Sequence, residues 1–141
     1  MNHTRLKYLF FVTKPYSFSI LKPIQDSITE SNSGTVKWFV ASSAVNFSSP
    51  RNQIKSNGAV RDYNPDVVLV PGNIVPHYWP GLKVQVFHGL DEEVKGFYKI
   101  TGFFDLYCTT GPVMTENFLK IAKHKKHFLV KIGRASCRER V

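Results

Sequence analysis

Small polar residues and glycines follow three apolar runs of the sequence, at the points where those runs end. The three endings are residues 72–73 (GN), 88–89 (HG) and 110–111 (TG). If the runs are parallel strands, their carboxyl ends meet at one edge of a sheet, which is where open α/β sheets bind ligands. Glycine also allows left-handed turns and a close approach of the backbone to a ligand, although such glycines could equally be ordinary turn residues. The predicted substrate-binding positions from these endings are Gly72, Asn73, Gly89, Thr110 and Gly111.

His88 is the titratable side chain among these endings, and it directly follows the run VQVF. An imidazole at a strand end could remove a proton from a hydroxyl near neutral pH. The alternative is a structural histidine that fixes its loop, and the residue pattern leaves both interpretations open. Lys95 lies seven residues later. It could bind a phosphate, or it could be a solvated lysine among the carboxylates of residues 91–93.

Other motifs point less clearly to chemistry. Residues 124–127 (HKKH) form a basic cluster that could favour a helix dipole or contact anionic lipid. No carboxylate or cysteine adjoins that cluster, so we predict no metal site. Residues 77–80 (HYWP) could stack on a sugar or dip into a membrane surface, whereas core packing is the simpler interpretation. The sequence contains no P-loop, G-x-G-x-x-G, C-x-x-C or G-x-S-x-G motif, and we predict no cofactor.

The apolar runs predict a parallel sheet. Buried strands are predicted at residues 7–13, 35–41, 66–70, 83–88 and 104–109, with a last strand starting at 127–130. Helices are predicted at residues 17–31, where Pro23 could delay or kink the start, and at 113–123. Residues 42–64 predict loops around at most a short helix, with a brief edge strand at 59–61. Strands that are apolar throughout and alternate with helices indicate a Rossmann-like α/β fold, with helices on both faces of the sheet.

The last ten residues, 132–141 (IGRASCRERV), resemble one reading frame of a widely used sequencing adapter whose next codon is a stop. We therefore expect residues 131–141 to be foreign and residues 1–130 to form one N-terminal domain. The whole chain has 19 basic and 10 acidic residues, a formal charge of +9; without four basic residues and one acidic residue of the tail, 15 and 9 remain, about +6. This moderate charge permits anionic substrates or lipid surfaces and does not favour a nucleic-acid partner.

Cysteine content gives a further expectation about the compartment. Without the tail, Cys108 is the one cysteine left, so no internal disulfide can form. That composition is typical of a reducing compartment.

Several motifs together resemble the CDP-glycerol glycerophosphotransferase family. They are residues 84–90 (VQVFHGL), 95–98 (KGFY) and 104–112 (FDLYCTTGP). Members of that family carry a His-Gly motif followed shortly by a lysine, and then an F-D segment that ends in Gly-Pro before a helix. Residues 11–21 and 65–73 are similar to the family's N-terminal domain, and the resemblance covers nearly all of residues 7–130. The DEEV segment before Lys95 departs from the commonest spacing, which weakens the match at that lysine.

The resemblance implies a function for the chain. It implies the N-terminal, acceptor-facing half of a two-domain GT-B-like enzyme, which transfers glycerol phosphate from CDP-glycerol to a hydroxyl of a growing polymer and releases CMP. Bacterial teichoic-acid or capsule-type polymers are the typical products, so a polyol-phosphate or glycan acceptor is implied. His88 matches the candidate base, and Lys95 matches the following lysine. The donor-binding half should lie downstream of residue 130, and peripheral work at the cytoplasmic face of the cell membrane is implied.

Two other readings of the sequence remain open. One is a fragment of a GT-B glycosyltransferase or a sugar-nucleotide epimerase, which would share the architecture and differ in its donor. The other is a Rossmann-type binding or regulatory domain that functions alone, which would require a natural terminus near residue 130.

Overall fold

A computed structural model describes residues 5–14, 16–41, 52–72, 74–86, 104–109, 116 and 131–134 of the chain. Its elements in chain order are β1 (Leu6–Val12), α1 (Ser17–Ser31), β2 (Gly34–Val40), β3 (Gln53–Ile54), α2 (Asn57–Tyr63), β4 (Val67–Val70), β5 (Leu82–Val86), β6 (Leu106–Thr109) and β7 (Lys131–Arg134). Within these ranges no helix is both long and apolar enough to cross a membrane.

The seven strands form one sheet in the order β3-β2-β1-β4-β5-β6-β7, and every neighbouring pair is parallel. The chain builds outward from β1 to β3, then returns to the other side of β1 and builds outward again from β4. The strand order therefore reverses between β1 and β4, which is the topological switch point of a doubly wound sheet. The predicted Rossmann-like α/β fold is confirmed.

Both faces of the sheet carry a buried core, which explains why its central strands are mainly apolar. On β1, Leu9 and Phe11 point to one face and Phe10 and Val12 to the other. The first, here named the α2 face, has a core of Leu9, Phe11, Ile54, Val60, Val68, Val70, Val75, Trp79, Phe104 and Tyr107. The second, the α1 face, has a core of Phe10, Val12, Leu21, Ile28, Val36, Trp38, Val40, Leu69, Val84 and Val86. Each helix covers the face that bears its name.

Most predicted elements lie within a few residues of their predicted positions. The first helix runs from Ser17 through Pro23 to Ser31, and it ends at Asn32, whose left-handed backbone (φ 52°) lets its N–H bond to the carbonyls of Ile28 and Thr29. The structure describes residues 83–86 of the predicted strand at 83–88, and β5 begins one residue earlier, at Leu82. The predicted helix at 113–123 lies outside the described residues apart from Glu116, which is helical.

The edge strand predicted at residues 59–61 is wrong, because those residues belong to α2. The Ser56 hydroxyl accepts a hydrogen bond from the Ala59 N–H (3.1 Å) and so begins the helix, while Val60 is buried on the sheet. One buried apolar residue among polar ones does not distinguish a short helix from a short strand. The edge strand is instead β3, a two-residue strand beside β2.

The last strand lies at Lys131–Arg134, where it pairs with β6 in parallel register. These four residues are within the segment predicted to be foreign, and the predicted strand start at 127–130 lies outside the described residues. Ladder pairing uses main-chain N–H and C=O groups, so it does not require a particular set of side chains.

The aromatic loop at residues 77–80 divides between core and solvent. Trp79 is buried at 2% exposure, with its ring 5.2 Å from Phe11 and 4.9 Å from Phe39, and its indole N–H donates to Asn57 Oδ1 (2.9 Å). Core packing is therefore the correct interpretation for Trp79. Tyr78, in contrast, is half exposed.

Tyr63, at the end of α2, fastens that helix to the sheet. Its hydroxyl donates toward the main-chain oxygens of Tyr8 (3.1 Å) and Thr35 (3.2 Å), and it lies 3.0 Å from Thr35 Oγ1. Burial raises the pKa of the Tyr63 phenol above its ordinary value, while the bonds to Thr35 and Tyr8 act in the opposite direction. The neutral phenol is therefore the form that the folded state stabilises.

We expect Tyr63 to make folding sensitive to alkaline pH. Because its pKa is raised in the folded state, its contribution is complete below about pH 10 and is lost as the pH rises through the folded-state pKa. Tyr63→Phe should lower the free energy of unfolding by about 1 kcal/mol at pH 8, and should reduce the further loss between pH 9 and 11. Urea denaturation at several pH values measures both effects. Parallel alkaline losses in the two proteins would contradict this assignment.

Candidate functional site

The carboxyl ends of β4, β5 and β6 lie side by side, since these strands are parallel neighbours. Val70 of β4 is level with Gln85 of β5, and Val86 of β5 is level with Cys108 of β6. The name carboxyl rim is used here for this edge, together with the end of β1. The last residues of the three strands at this rim are Val70, Val86 and Thr109. The three endings that the sequence singled out therefore follow adjacent strands.

Gly72 occupies the rim at the switch point between β1 and β4. The side chain of Gln85, which is 1% exposed, donates from Nε2 to the Gly72 carbonyl oxygen (2.7 Å). Thr13, just past β1, lies on the other side, with its Oγ1 3.4 Å from where a Cβ on Gly72 would be. A buried amide from β5 thus fixes the main chain that leaves β4.

Gln85 is a site residue that the sequence reasoning missed. Its signal was its polarity inside the run LKVQV, in which Lys83 is the other polar residue and the remaining three are apolar. A buried amide requires hydrogen-bond partners, so such a residue marks a place where the main chain is held by a side chain.

Glycine conformation differs between the two edges of the sheet. Among the described glycines, Gly81 has the left-handed backbone (φ 97°), and a Cβ there would collide with the carbonyl oxygen of Pro65. Gly81 precedes β5 and lies at the amino edge, opposite the carboxyl rim. Gly72 has no such conformation, and a Cβ on it would make one ordinary contact with Thr13. A left-handed backbone conformation is therefore not the reason for a glycine at position 72. The role of Gly72 in substrate binding stays a prediction.

Two aspartates fasten the amino edge, and the sequence reasoning missed both. Asp66 precedes β4, and its Oδ2 accepts the main-chain N–H of Lys7 on β1 (2.8 Å). Asp105 precedes β6, and its Oδ2 accepts the N–H of Lys83 on β5 (2.9 Å). Each aspartate also donates its own N–H to the carbonyl of the same lysine, at 2.8 and 2.7 Å. The aspartates of the P-D and F-D motifs are therefore structural in this fold.

Lys83 is buried at the same amino edge. Its Nζ donates to the carbonyl oxygens of Trp79 and of Gly81 (2.8 Å), so it fixes the turn that leads into β5. Burial lowers the pKa of the Lys83 amine, and the Asp105 carboxylate partly opposes that shift. Lys83 lies at the opposite edge of the sheet from the carboxyl rim, so its role is to support the turn and not to contact a substrate at the rim.

The remaining predicted site residues lie outside the described part of the chain. They are Asn73, His88, Gly89, Lys95, Thr110 and Gly111. Their roles stay predictions, and what the structure adds is the position of the strands that precede them. Among the described residues, no group of three or more His, Cys, Asp or Glu side chains could hold a metal ion.

The fold places the chain in the class of Rossmann-like α/β proteins. Comparison with family models, with curated proteins and with solved structures found no match for this chain.

The two glycines at opposite edges should respond differently to substitution. Gly81→Ala introduces a Cβ into a left-handed backbone and against a carbonyl, so we expect the free energy of unfolding to fall by about 2 kcal/mol or more. Gly72→Ala serves as the matched change, and we expect less than about 0.5 kcal/mol from it. Chemical denaturation of both variants measures the difference. Equal losses would show that the rim backbone is as constrained as the Gly81 turn.

Proposed function

We propose that this chain is the N-terminal, acceptor-side part of a bacterial CDP-glycerol glycerophosphotransferase that works at the inner face of the cell membrane. The observation that carries the proposal is the parallel adjacency of β4, β5 and β6. It makes the strands before residues 72–73, 88–89 and 110–111 end at one rim, as a shared substrate site requires. The order of the family-like motifs along the sequence supports the same assignment.

The proposed reaction is a phosphoryl-group transfer. An acceptor hydroxyl of the polyol-phosphate or glycan chain attacks the β-phosphorus of CDP-glycerol, and a new O–P bond forms. The bond from that phosphorus to the oxygen of CMP breaks, and CMP leaves with the electron pair. His88 takes the proton of the attacking hydroxyl, a role that suits an imidazole near neutral pH. Lys95 would neutralise phosphate charge.

The described rim residues suit an acceptor-side role. Gln85 donates to the Gly72 carbonyl, so the folded sheet holds this main-chain oxygen in place before any ligand arrives. Because Gly72 lacks a side chain, a substrate can approach that backbone closely. Transfer also requires the donor to be held in line with the acceptor hydroxyl. The donor-binding half would lie beyond residue 130, and the 141-residue chain by itself is then expected to be inactive.

The role of His88 can be tested in the full-length enzyme, restored from the source gene. We expect His88→Ala to lower the rate of CMP release from CDP-glycerol by about 10²- to 10⁴-fold, because the general base is lost. His77→Ala is the matched control, since His77 is exposed on the loop between β4 and β5, and it should retain near-full activity. Near-full activity of the His88 variant would remove this histidine from the mechanism. An enzyme that releases no CMP from CDP-glycerol but uses a nucleotide sugar would instead support the GT-B glycosyltransferase reading.

The gene itself offers a second test. We expect the reading frame in source DNA to continue past codon 130 with codons unrelated to the adapter, for roughly another 200 residues, which is enough for a second domain. Amplification and sequencing across that position is the measurement. A natural stop codon near residue 130 would overturn the transferase proposal and favour a Rossmann-type binding domain that functions alone.

A further inference from the structure

A groove on the α2 face lies apart from the carboxyl rim. It is bounded by β1, β2 and β3 and by helix α2, it is widely open to solvent, and its volume is about 700 Å³. This part of the sheet is on the opposite side of β1 from β4, β5 and β6. The name lysine groove is used here for it, after the three cations Lys7, Lys37 and Lys55 in its lining.

The charge of the lysine groove is unbalanced. Its lining contains three lysines and one carboxylate, Asp62, and a second carboxylate, Asp66, lies nearby, where it accepts the Lys7 N–H and acts electrostatically on Tyr63. Within the described residues none of the three lysines forms a salt bridge, and the ion pair found there is Lys22–Asp26 on α1. Lys7 is level with Thr35, two positions before Lys37 on the neighbouring strand, and both lysines lie on the same face. Like charges at such positions repel one another unless an anion lies between them.

One cation of the groove is held in place. The Lys37 ammonium lies 4.9 Å from the centre of the Tyr63 ring, and the Tyr63 hydroxyl is fixed by Tyr8 and Thr35. A cation over an aromatic face is attracted to the ring's electrons. Lys37 therefore occupies a defined position before any ligand binds, which lowers the cost of ordering it on binding.

The width of the cationic row indicates the size of the ligand. Lys7 and Lys37 lie on β1 and β2, and Lys55 directly follows β3, so the row crosses three adjacent strands. Strands are separated by about 4.8 Å, so the row spans about 10 Å across the sheet. The row also runs along the strands, because Lys55 lies about five positions further along them than Lys7, and its two ends are therefore roughly 19 Å apart. Such a row suits an anion with several repeated charges better than one isolated phosphate.

The lining favours a polyol-phosphate chain over the other polyanions. Tyr63 is the aromatic residue of the groove, and it packs against the core of the α2 face while the Lys37 ammonium lies near its ring, so little of the ring is open to stacking with a nucleic-acid base. None of the exposed large apolar side chains of the described residues lies in the lining, so the groove lacks the residues that would insert into a lipid surface. We propose that the lysine groove binds a segment of the growing polyol-phosphate polymer, at a distance from the carboxyl rim. The inference rests on the proposed function, because that function supplies a phosphodiester polymer as the acceptor.

The test measures binding of a synthetic poly(glycerol phosphate) oligomer to the 141-residue chain by fluorescence anisotropy, over a range of salt concentrations. In the double variant Lys37→Gln/Lys55→Gln we expect the Kd to rise about tenfold and its salt dependence to become shallower, because fewer phosphates are neutralised. The matched control is Lys22→Gln/Arg61→Gln, which removes the same charge outside the groove and should change the Kd less than about twofold. A second groove variant, Lys7→Gln/Lys55→Gln, keeps the contact between Lys37 and Tyr63 and should weaken binding similarly.

Several outcomes would overturn the proposal. One is that the oligomer shows no measurable binding, and another is that the control variant raises the Kd as much as the groove variants do. A third is that single-stranded DNA or anionic vesicles bind more tightly than the oligomer through the same lysines. The assay requires neither CDP-glycerol nor His88. If the groove fails to bind the polymer but the full-length enzyme still releases CMP through His88, the groove proposal is refuted and the transferase proposal is not.

Discussion

The fold depends on the position of β1 at the middle of the sheet. Its seven residues pair along their whole length with β2, and three of them also pair with β4. Leu9, Phe10 and Val12 are fully buried, because helices and loops cover the strand from both faces. A central strand that is apolar on both faces can satisfy its main-chain groups only by pairing with strands on each side. The doubly wound topology meets that requirement, because β2 pairs with β1 on one side and β4 pairs with it on the other.

The two edges of the sheet differ in what holds them. At the amino edge, Asp66 and Asp105 clamp the starts of strands, Lys83 fixes a turn through two carbonyls, and Gly81 supplies a left-handed residue. At the carboxyl edge, the bond from the Gln85 side chain holds the Gly72 carbonyl, and the Ala41 N–H donates to the carbonyl of Val12. Because these bonds at the amino edge hold the fold, residues at the carboxyl edge are available for binding. This agrees with the location of ligand sites in open α/β sheets.

The proposed transferase and the lysine groove use separate parts of this sheet. The rim lies at the ends of β4 to β6, and the groove lies across β1 to β3. A polymer substrate is long enough to contact both, whereas a small acceptor would occupy the rim alone. Tyr63 connects the groove to the fold, because its hydroxyl binds the β1 and β2 main chain while its ring contacts Lys37.

Sequence patterns predicted the fold well because its strands are long apolar runs separated by clear breaks. They failed at residues 59–61, where one buried valine in a short polar segment fits a helix or a strand equally. They also missed Gln85, Lys83 and the two aspartates. The roles of such polar residues become visible when the sheet brings them to main-chain groups far away in sequence, as with Lys7 and Asp66, which are separated by 59 positions.

By itself, the sequence determined the parallel α/β class, because strands that are apolar on both faces have few other stable arrangements. It also determined which residues follow each strand. Only the tertiary structure decided the strand order, and with it which strand ends are neighbours. It also decided that the left-handed glycine is Gly81 rather than Gly72, and that three lysines from distant positions share one groove. These features arise from contacts between segments remote in sequence, whose energies depend on the completed sheet rather than on local residue patterns.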